Sequence, residues 1–466
     1  MNNESNVSRR DFLKSTTRTG VSLAALGTAS FAGPKEILGA NNRIRVAVCG
    51  LHSRGWEHVR GLNKIPNVQV AALCEVDDNV LQKRLADMEK LGMPKPEKTY
   101  FDVRQLLDDK TIDAITIATP NSWHSLMAIW ACQAGKDVYV EKPCSHNWWE
   151  GRQLVRAAQK YKRAVQHGTQ SRSSKAGIET VQKLRQGLIG DVYLARGICY
   201  KRRNTIGIAP IEPVPPGVHY DLWTGPAPLE PFTHNRFHYN WHWLWDFGNG
   251  DLGNQGIHQI DNARWGLGVG FPNKVSAMGG HFMFDDDQQT PNTLNCSFEY
   301  DMPGGPSKRK MIEFEVRHWM TNNEAEIGTP AMGSSENDVN YYGDVFYGTN
   351  GYLAMASEDV GDMYRSWIGK DVKPGPHNEP VAGLVPNLTN LLDVMRSRKM
   401  EDLNAPILEA HISCTVMHLA NASYRLGKTI NFDPETQQVI GDEEASRLLR
   451  DADRGYRRPF YIPEDV

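Results

Sequence analysis

The stretch from Ile44 to Gly55 reads I-R-V-A-V-C-G-L-H-S-R-G, a short apolar run followed by a turn that carries two glycines. Gly50 and Gly55 occupy the first and third glycine positions of a G-x-G-x-x-G dinucleotide-binding fingerprint, and His52 replaces the second. Because the second glycine normally lets the backbone approach a pyrophosphate, the His52 side chain must point away or the phosphates must shift. The motif alone is weak, since a plain strand–turn–helix connection is the alternative.

Strand and helix patterns alternate from residue 43 to about residue 168. The predicted strands are Ile44–Cys49, Val68–Cys74, Ala114–Ala118, Val138–Val140 and Ala164–His167. Helical patterns follow them, and Asp102 and Ser145 are candidate N-caps. The alternation predicts an α/β fold with a parallel sheet covered on both faces, and ligands in such sheets bind beyond the carboxyl ends of the strands.

Glu75 ends the second predicted strand, at the distance from the glycine turn that a ribose-binding carboxylate has in dinucleotide-binding folds. An acidic side chain there accepts hydrogen bonds from ribose hydroxyls and repels the extra phosphate of NADP. The sequence therefore favours NAD as cofactor over NADP. A solvated strand end is the alternative interpretation of Glu75.

The second half of the chain has a different pattern. Longer strands are predicted at Asp191–Tyr200, Lys274–Phe284, Thr293–Tyr300 and Met311–Arg317, with few clear helices between the later ones. This pattern predicts a largely antiparallel sheet with one covered face. A final helix is predicted at Ile407–Leu426.

Composition narrows the function classes. The 466 residues are 40% hydrophobic and 23% charged, as in ordinary soluble proteins, which argues against a disordered or polytopic membrane protein. A net charge of -3 argues against a nucleic-acid binder. The seven cysteines contain no C-x-x-C pair, so neither a disulfide scaffold nor a thiolate metal site is indicated.

The N-terminus carries a targeting pattern. Residues 8–14 read S-R-R-D-F-L-K and match the twin-arginine export signal S-R-R-x-F-L-K. The apolar stretch Thr19–Ala32 that follows is shorter than the ~20 residues needed to span a bilayer. We expect residues 1–40 to be a signal peptide and linker, and the mature protein to be periplasmic or otherwise exported by the twin-arginine translocation machinery. The alternative is a cytoplasmic protein that matches the motif by accident.

Two further segments carry a family resemblance. A-T-P-N-S-W-H at residues 118–124 and E-K-P at residues 141–143 resemble the Gfo/Idh/MocA family, which includes glucose–fructose oxidoreductase and inositol dehydrogenase. The resemblance runs from about residue 43 to the C-terminus. It implies an N-terminal Rossmann domain at residues 41–168 and a C-terminal α+β domain at residues 169–466. In the family, the open, mainly antiparallel sheet of the second domain helps form the substrate site and often a subunit interface, so we expect a homo-oligomer.

The resemblance also implies a cofactor site. The residues assigned to it are Gly50, His52, Ser53, Arg54, Gly55, Glu75, Thr119, Pro120, Asn121, His124, Glu141 and Lys142. In the family the lysine of E-K-P lies at the nicotinamide end and contacts the reacting hydroxyl. A cation there stabilises negative charge that develops on oxygen. The alternative for Lys142 alone is an ordinary surface lysine.

A second chemical segment begins at Gly250. The family has an aspartate four residues before a histidine and another aspartate three residues beyond it. His258 and Asp261 fit this pattern, and Asn254 replaces the first aspartate. Histidine titrates near neutral pH and suits a general base, so His258 and Asn254 are predicted catalytic residues beside Lys142. A structural histidine is the alternative.

Residues 237–247 read F-H-Y-N-W-H-W-L-W-D-F, with large aromatics at every second position from Tyr239 to Phe247. An extended chain would place them on one side, where they suit the C–H faces of a sugar. Core or interface packing is the equal alternative. We assign Trp241, Trp243, Gln170 and Asp261 to the substrate. Histidines 234, 238 and 242 recur every four residues, but the alternation argues against a helical metal row, and no metal site is predicted.

Taken together, the residues predict an exported oxidoreductase that transfers a hydride between a tightly bound nicotinamide cofactor and a hydroxyl of a sugar, cyclitol or glycoside. One alternative is a redox-assisted, NAD-dependent glycoside hydrolase or lyase of the same architecture. The other is a noncatalytic sugar- or nucleotide-binding protein. The intact Lys142 favours the dehydrogenase over the hydrolase, and Lys142 together with His258 argues against the binding protein.

Overall fold

The computed structural model describes residues 43–303, 308–335, 338–356, 361–450 and 455–466. Residues 43–466 form one compact unit. The predicted signal peptide lies outside the described residues. The boundary that we placed between residues 168 and 169 stays a prediction.

Six parallel strands form the first sheet, in the order β3-β2-β1-β4-β5-β6. The strands are β1 (Ile44–Cys49), β2 (Val68–Cys74), β3 (Lys98–Tyr100), β4 (Ala114–Ile117), β5 (Asp137–Val140) and β6 (Val165–His167). The helices that connect them are α1 (Arg54–Leu62), α2 (Asp78–Lys90), α3 (Val103–Asp108), α4 (Asn121–Gln133) and α5 (Trp148–Lys160). The strand order reverses between β1 and β4, and an open α/β sheet binds its ligand in the crevice at such a reversal.

Local chemistry explains where several helices begin. The carboxylates of Asp77 and Asp102 accept hydrogen bonds from the first turns of α2 and α3. The prediction that Ser145 caps α5 is wrong, because Asn147 accepts from the backbone N–H of Glu150 and the helix begins at Trp148. Each of these side chains satisfies a backbone donor that has no partner inside its helix.

The second sheet has ten strands, in the order β14-β13-β12-β11-β7-β10-β9-β8-β15-β16. Among these described strands, β7 and β10 run parallel and the other neighbouring pairs run antiparallel. The strands are β7 (Val192–Lys201), β8 (Lys274–Gly280), β9 (Thr293–Asp301), β10 (Arg309–Arg317), β11 (Asn340–Gly348), β12 (Gly351–Ala356), β13 (Met363–Ile368), β14 (Lys373–His377), β15 (Ile430–Asp433) and β16 (Gln438–Val439). The chain is therefore an α/β protein with a Rossmann-type parallel sheet and a mixed, mostly antiparallel second sheet.

Six further helices accompany the second half. They are α6 (Lys175–Arg185), α7 (Tyr220–Thr224), α8 (Ile257–Leu267), α9 (Leu384–Ser397), α10 (Ile407–Leu426) and α11 (Glu443–Leu448). A π-helical segment, Leu252–Gly256, leads directly into α8. Helix α8 lies on β7, β10 and β11, whereas α9 returns to the first sheet and contacts α1 and β5. None of the helices in the described ranges has the length and apolar character required to cross a lipid bilayer.

The aromatic segment at residues 237–247 is not extended, so that prediction is wrong. It contains a 3-10 turn at Asn240–Trp243. His238 has a φ of 47°, which is incompatible with a continuous strand. The aromatic side chains consequently separate: Trp243 is buried, and Trp241 is only partly buried.

Candidate active site

A cavity of about 720 Å³ lies where the carboxyl ends of the first sheet meet segments of the second half. With the exception of Gly55, every residue assigned to the cofactor lines it. The opposite wall contains Gln170, Lys201, Trp241 and Asn254. The fold thus brings the predicted cofactor residues together with part of the predicted substrate site.

The glycine turn shows why two glycines are needed. Gly50 has a φ of 79°, and a Cβ added to it would lie 2.6 Å from the carbonyl oxygen of Ala118. A Cβ added to Gly55 would lie 1.7 Å from the carbonyl oxygen of Gly50. The first glycine therefore permits the turn and the third permits α1 to begin against it, as the fingerprint predicts.

His52, at the missing second glycine, directs its ring toward the second half of the chain. Its ring stacks on that of His238, with centroids 4.2 Å apart and an angle of 20° between the planes. The Nε2 atom of His238 lies 2.9 Å from a carboxylate oxygen of Asp77. Burial lowers the pKa of His52, and nearby His238 lowers it further. The pair forms part of the cavity wall.

Glu75 is buried at the end of β2 and lines the cavity. Its carboxylate accepts hydrogen bonds from the backbone N–H groups of Leu51, at 2.7 Å, Val76, at 2.9 Å, and Asp77, at 3.2 Å. Burial raises the pKa of Glu75 to about 7, although these hydrogen bonds oppose the shift. The amides fix the position of the carboxylate. Oε1 accepts two of these bonds and Oε2 accepts one, so Oε2 has a further lone pair for a hydroxyl donor.

Glu141 holds the E-K-P segment against α1. It is buried, and its carboxylate accepts hydrogen bonds from Arg54 at 3.1 Å and His58 at 3.0 Å. Burial alone would raise its pKa, but the charge of Arg54 and the hydrogen bond from His58 hold it below the usual value. Glu141 therefore joins α1 to the end of β5 as a carboxylate.

The A-T-P-N-S-W-H segment is held by its own histidine and asparagine. The two ring nitrogens of His124 lie 2.6 Å and 2.8 Å from the carbonyl oxygens of Pro143 and Thr119. Burial lowers the pKa of His124 to about 4. Asn121 donates to the side chain of Asn249 at 3.0 Å. The segment thus links the ends of β4 and β5 to the chain just before the π-helical segment.

Lys142 reaches across the cavity to the second half. Its Nζ donates to the backbone oxygen of Asn254 at 2.5 Å. The side-chain amide of Asn254 donates in turn to Asp251 at 3.1 Å. Asp251 is completely buried, with Arg203 at 2.9 Å and His318 also in contact. Although burial opposes ionisation, Arg203 and His318 hold the pKa of Asp251 well below its usual value.

Three predicted site residues lie elsewhere. The described residues that line the cavity do not include His258, Asp261 or Trp243. His258 is buried in the first turn of α8. Asp261 forms a buried ion pair with Arg172, at 2.7 Å and 3.0 Å, and accepts from Ser413. These placements remove the geometric support for Asp261 and Trp243 as substrate contacts, and the catalytic role of His258 stays a prediction.

The cavity instead contains His242, which sequence reasoning did not select. Its Nδ1 lies 2.5 Å from the carbonyl oxygen of Tyr239, and its ring stacks on Trp241 with centroids 3.6 Å apart. Because a carbonyl can only accept, Nδ1 carries the proton and Nε2 of the neutral ring keeps a lone pair. Burial lowers the pKa of His242 to about 3, and the charge of Lys142 lowers it further. His242 is therefore a neutral acceptor close to Lys142.

Comparison with known proteins shows which family the chain belongs to. A model of the oxidoreductase family with an NAD-binding Rossmann fold matches residues 44–169, and a model of the C-terminal alpha/beta domain of that family matches residues 203–277 and 360–459. The chain belongs to the Gfo/Idh/MocA oxidoreductase family.

Curated relatives share only part of the chain. A glycosyl hydrolase family 109 protein from Shewanella pealeana is 28% identical over 208 residues, which are 40% of this chain and 44% of the relative. A second, from Shewanella baltica, is also 28% identical over 207 residues. The match thus spans less than half the length of these relatives.

Solved structures share the fold over most of both chains. The aldose–aldose oxidoreductase of Caulobacter crescentus, complexed with glycerol, has a TM-score of 0.62 and 18% identity over 84% of this chain and 100% of its own. Levoglucosan dehydrogenase in complex with NADH and levoglucosan has a TM-score of 0.62 and 16% identity over 84% and 99%. The WlbA dehydrogenase of Bordetella pertussis, with NADH and UDP-GlcNAcA, has a TM-score of 0.58 and 17% identity over 84% and 99%.

The residues of this Gfo/Idh/MocA protein fit a nicotinamide dinucleotide. The turn at Gly50 and the beginning of α1 present backbone N–H groups where a pyrophosphate is bound in such folds. Glu75 offers a fixed carboxylate to a ribose, and Lys142 lies at the end of β5.

Proposed function

We propose that the protein is an exported, NAD-dependent oxidoreductase that acts on a hydroxyl of a sugar, cyclitol or glycoside. The observation that carries the proposal is the meeting of Lys142 and His242 in the wall of one cavity with the dinucleotide residues. When bound, the nicotinamide ring would exchange a hydride with the substrate carbon.

Lys142 would bind the reacting oxygen. Its ammonium group is positioned by the backbone oxygen of Asn254, and an ammonium has several N–H donors with which to bind a substrate as well. A fixed cation stabilises the negative charge that grows on a hydroxyl oxygen as its proton leaves. Asn254 would act as a positioning residue, since its backbone oxygen binds Lys142 and its side-chain amide donates to the buried Asp251.

His242 would take the hydroxyl proton through Nε2 only transiently, because a ring with a pKa of about 3 does not keep a proton at neutral pH. The carbonyl of Tyr239 fixes the tautomer, and Trp241 fixes the plane of the ring. Trp241 also lines the cavity and offers an aromatic face to the C–H surface of a sugar. Gln170 and Lys201 complete the polar wall for substrate hydroxyls.

Export supports tight cofactor binding. The twin-arginine pattern at residues 8–14 directs a folded protein outward, where free NAD is scarce. The cofactor would therefore be bound before export and recycled in place by a second half-reaction on another substrate. A homo-oligomer through the second sheet is part of the same proposal.

The glycosyl hydrolase relatives favour a second candidate function. In that reaction a glycoside hydroxyl would be oxidised by hydride transfer to the cofactor, the neighbouring C–H would become acidic and the aglycone would be eliminated. Water would then add to the double bond, and return of the hydride would restore the alcohol; without the water step the enzyme would be a lyase. This reaction gives net cleavage without net cofactor reduction. The retained Lys142 supports the dehydrogenase as the first candidate.

One assay distinguishes the candidates. The purified full chain is denatured to test for released dinucleotide, and the native protein is incubated with sugars and glycosides while nicotinamide absorbance and products are followed. Keto-sugar formation coupled to NADH supports the dehydrogenase, and aglycone release without NADH supports the hydrolase. Binding without either product would leave a noncatalytic binding protein and contradict the proposal.

The substitution Lys142→Ala tests the proposed oxygen-binding group. We expect kcat to fall by about 10²–10³-fold, the usual effect of removing one donor to a developing oxyanion, while NAD still binds. Lys175→Ala, at an exposed position at the start of α6, is the control. Equal activity of the two variants would exclude a catalytic role for Lys142.

A further inference from the structure

Cys144, His167 and Cys414 form a cluster that the proposed reaction does not use. They come from the loop after β5, the end of β6 and the middle of α10, and each has 0% of its surface exposed. One sulfur or nitrogen atom from each lies within 4.8 Å of the other two. The cluster starts two residues after Lys142, so it lies next to the proposed active site along the chain.

The sulfur atoms stand at the spacing of metal ligands. The distance between Cys144 Sγ and Cys414 Sγ is 3.7 Å. A tetrahedral zinc ion with Zn–S bonds of about 2.3 Å holds two sulfurs about 3.8 Å apart. A disulfide requires about 2.05 Å, so its formation would need the two side chains to move together.

His167 has the arrangement of a ligating histidine. Its Nδ1 lies 3.3 Å from the hydroxyl oxygen of Thr169. Its Nε2 is buried and has no hydrogen-bond partner in the described part of the chain. Histidines that bind metals commonly donate the other ring N–H to a neighbouring oxygen, which leaves the remaining nitrogen to the metal.

Charge favours a divalent ion. Two thiolates and one neutral imidazole carry a charge of about -2, which a divalent cation neutralises, and buried charge is tolerated only when it is compensated. Thiolate and imidazole ligands are those that zinc prefers.

We propose that Cys144, His167 and Cys414 bind a thiophilic divalent metal ion, Zn²⁺, in a structural site that fastens the loop after Lys142 to α10. Within the described ranges the cluster contains three ligating side chains, so a small ligand such as water would complete the coordination. The sequence did not indicate this site because Cys144 and Cys414 are 270 residues apart. This proposal differs from the sequence analysis, which predicted no metal site.

The purified full chain provides the test. It is stripped with a chelator, titrated with Zn²⁺ alone, and in parallel with Co²⁺ as a spectroscopic substitute. We expect one ion per chain, thiolate-to-cobalt charge-transfer absorption, and a higher Tm with metal. Cys144→Ser and Cys414→Ser should lose the charge-transfer band.

Cys296→Ser is the matched control, because Cys296 is a buried thiol in β9 outside the cluster, and it should keep the band. His167→Asn provides a second variant if the serine variants fail to fold. Absence of a thiolate–cobalt band in a folded chain with reduced Cys144 and Cys414 would overturn the proposal. So would a disulfide between these two cysteines, identified by peptide mass. Neither readout depends on the proposed enzymatic activity.

Discussion

Single residues decide what the cavity can do, and our proposal assigns proton acceptance to His242, whereas the sequence spacing predicts His258. The spacing of His258 matched the family, but spacing does not tell which side of a helix faces a cavity. The π-helical segment before α8 widens the turn, so residues four apart no longer align as they do in an α-helix. The sequence spacing did not indicate His242, because its proposed role as an acceptor depends on a local turn and on the hydrogen bond to the carbonyl of Tyr239.

The pair His242→Asn and His258→Asn tests this assignment. We expect His242→Asn to lower kcat by about 10²–10⁴-fold, the range for losing a general base, and His258→Asn to lower it much less. Because burial lowers the pKa of His242 to about 3, its ring stays neutral. At saturating NAD, kcat of the native protein should therefore not fall through protonation of His242 between about pH 8 and about pH 5. The reverse ranking of the variants would restore His258 as the base.

Because of Glu75, we expect the affinity for the cofactor to depend on pH. Its pKa, raised to about 7 by burial, means that the carboxylate gains its charge as the pH rises through neutrality. Hydrogen bonds to a charged acceptor are stronger, so NAD should bind more tightly at pH 8 than at pH 6.

Glu75→Gln should weaken NAD binding about tenfold, consistent with the loss of charge-assisted hydrogen bonds, and should flatten the pH dependence. Titration calorimetry with NAD and NADP measures both effects. Glu89→Gln, at an exposed position on α2, is the control. If Glu75→Gln retained the native affinity and pH slope, Glu75 would not be a ribose contact.

At the scale of elements, the strands of the first sheet were predictable because buried parallel strands are continuous apolar runs. The short β3 was missed, since Lys98 and Thr99 are exposed at the sheet edge and carry no apolar signal. The strands β11–β14 were also missed. Strand β14 reads K-P-G-P-H, and the prolines and glycine at residues 374–376 disfavour a strand in a sequence reading. Its edge position tolerates them.

Between α8 and the second sheet lies a buried acid that no sequence pattern indicated. Asp344 in β11 is 0% exposed, and a Cβ added to Gly197 of β7 would lie 3.3 Å from its Oδ1. Burial raises its pKa well above the usual value, with Asp261 and Asp362 adding to the shift and Asn262 opposing it. The folded chain therefore holds Asp344 protonated at pH values where the unfolded chain has ionised it.

This arrangement predicts a stabilising substitution. An acid with a raised folded-state pKa contributes stability below its unfolded pKa and loses that contribution as the pH rises toward the folded value. Asp344→Asn removes this loss, so the Tm of the variant should exceed that of the native chain at pH 8. The advantage should shrink toward pH 4. Asp371→Asn, 79% exposed, should show no such trend, and a pH-independent difference for Asp344→Asn would contradict the explanation.

At the scale of the whole molecule, the Rossmann half and the mostly antiparallel second sheet were predicted from alternation and from the family resemblance. How the two halves join was not predictable, because it depends on contacts between residues far apart in the chain. Lys142 and Asn254 meet across the cavity, and Gln153 donates to the carbonyl oxygens of Pro463 and Glu464. The periodicity of a sequence indicates which face of a helix or strand is apolar. It does not indicate which other element packs against that face.

The proposed export concerns the whole chain and has its own test. In a bacterial host, replacing Arg9 and Arg10 together by lysine should retain the protein in the cytoplasm, while the native sequence delivers it with bound dinucleotide to the periplasm. Cell fractionation followed by dinucleotide analysis measures both. Arg18→Lys is the control in the same segment. Equal distribution of the native and doubly substituted proteins would contradict the twin-arginine assignment.

Helix α9 has a consequence for engineering and for evolution. It belongs to the second half of the sequence, yet Leu388, Leu391 and Leu392 lie in one apolar cluster with Ile44 and Val46 of the first strand. A protein fragment that ends near residue 168 would expose the apolar surface that α9 covers, and the fragment would be prone to aggregation. If the downstream half of a homologue were joined to this nucleotide-binding sheet, it would bring a different α9, so recombination between relatives must preserve the fit of residues 384–397 against the first sheet as well as the cavity wall.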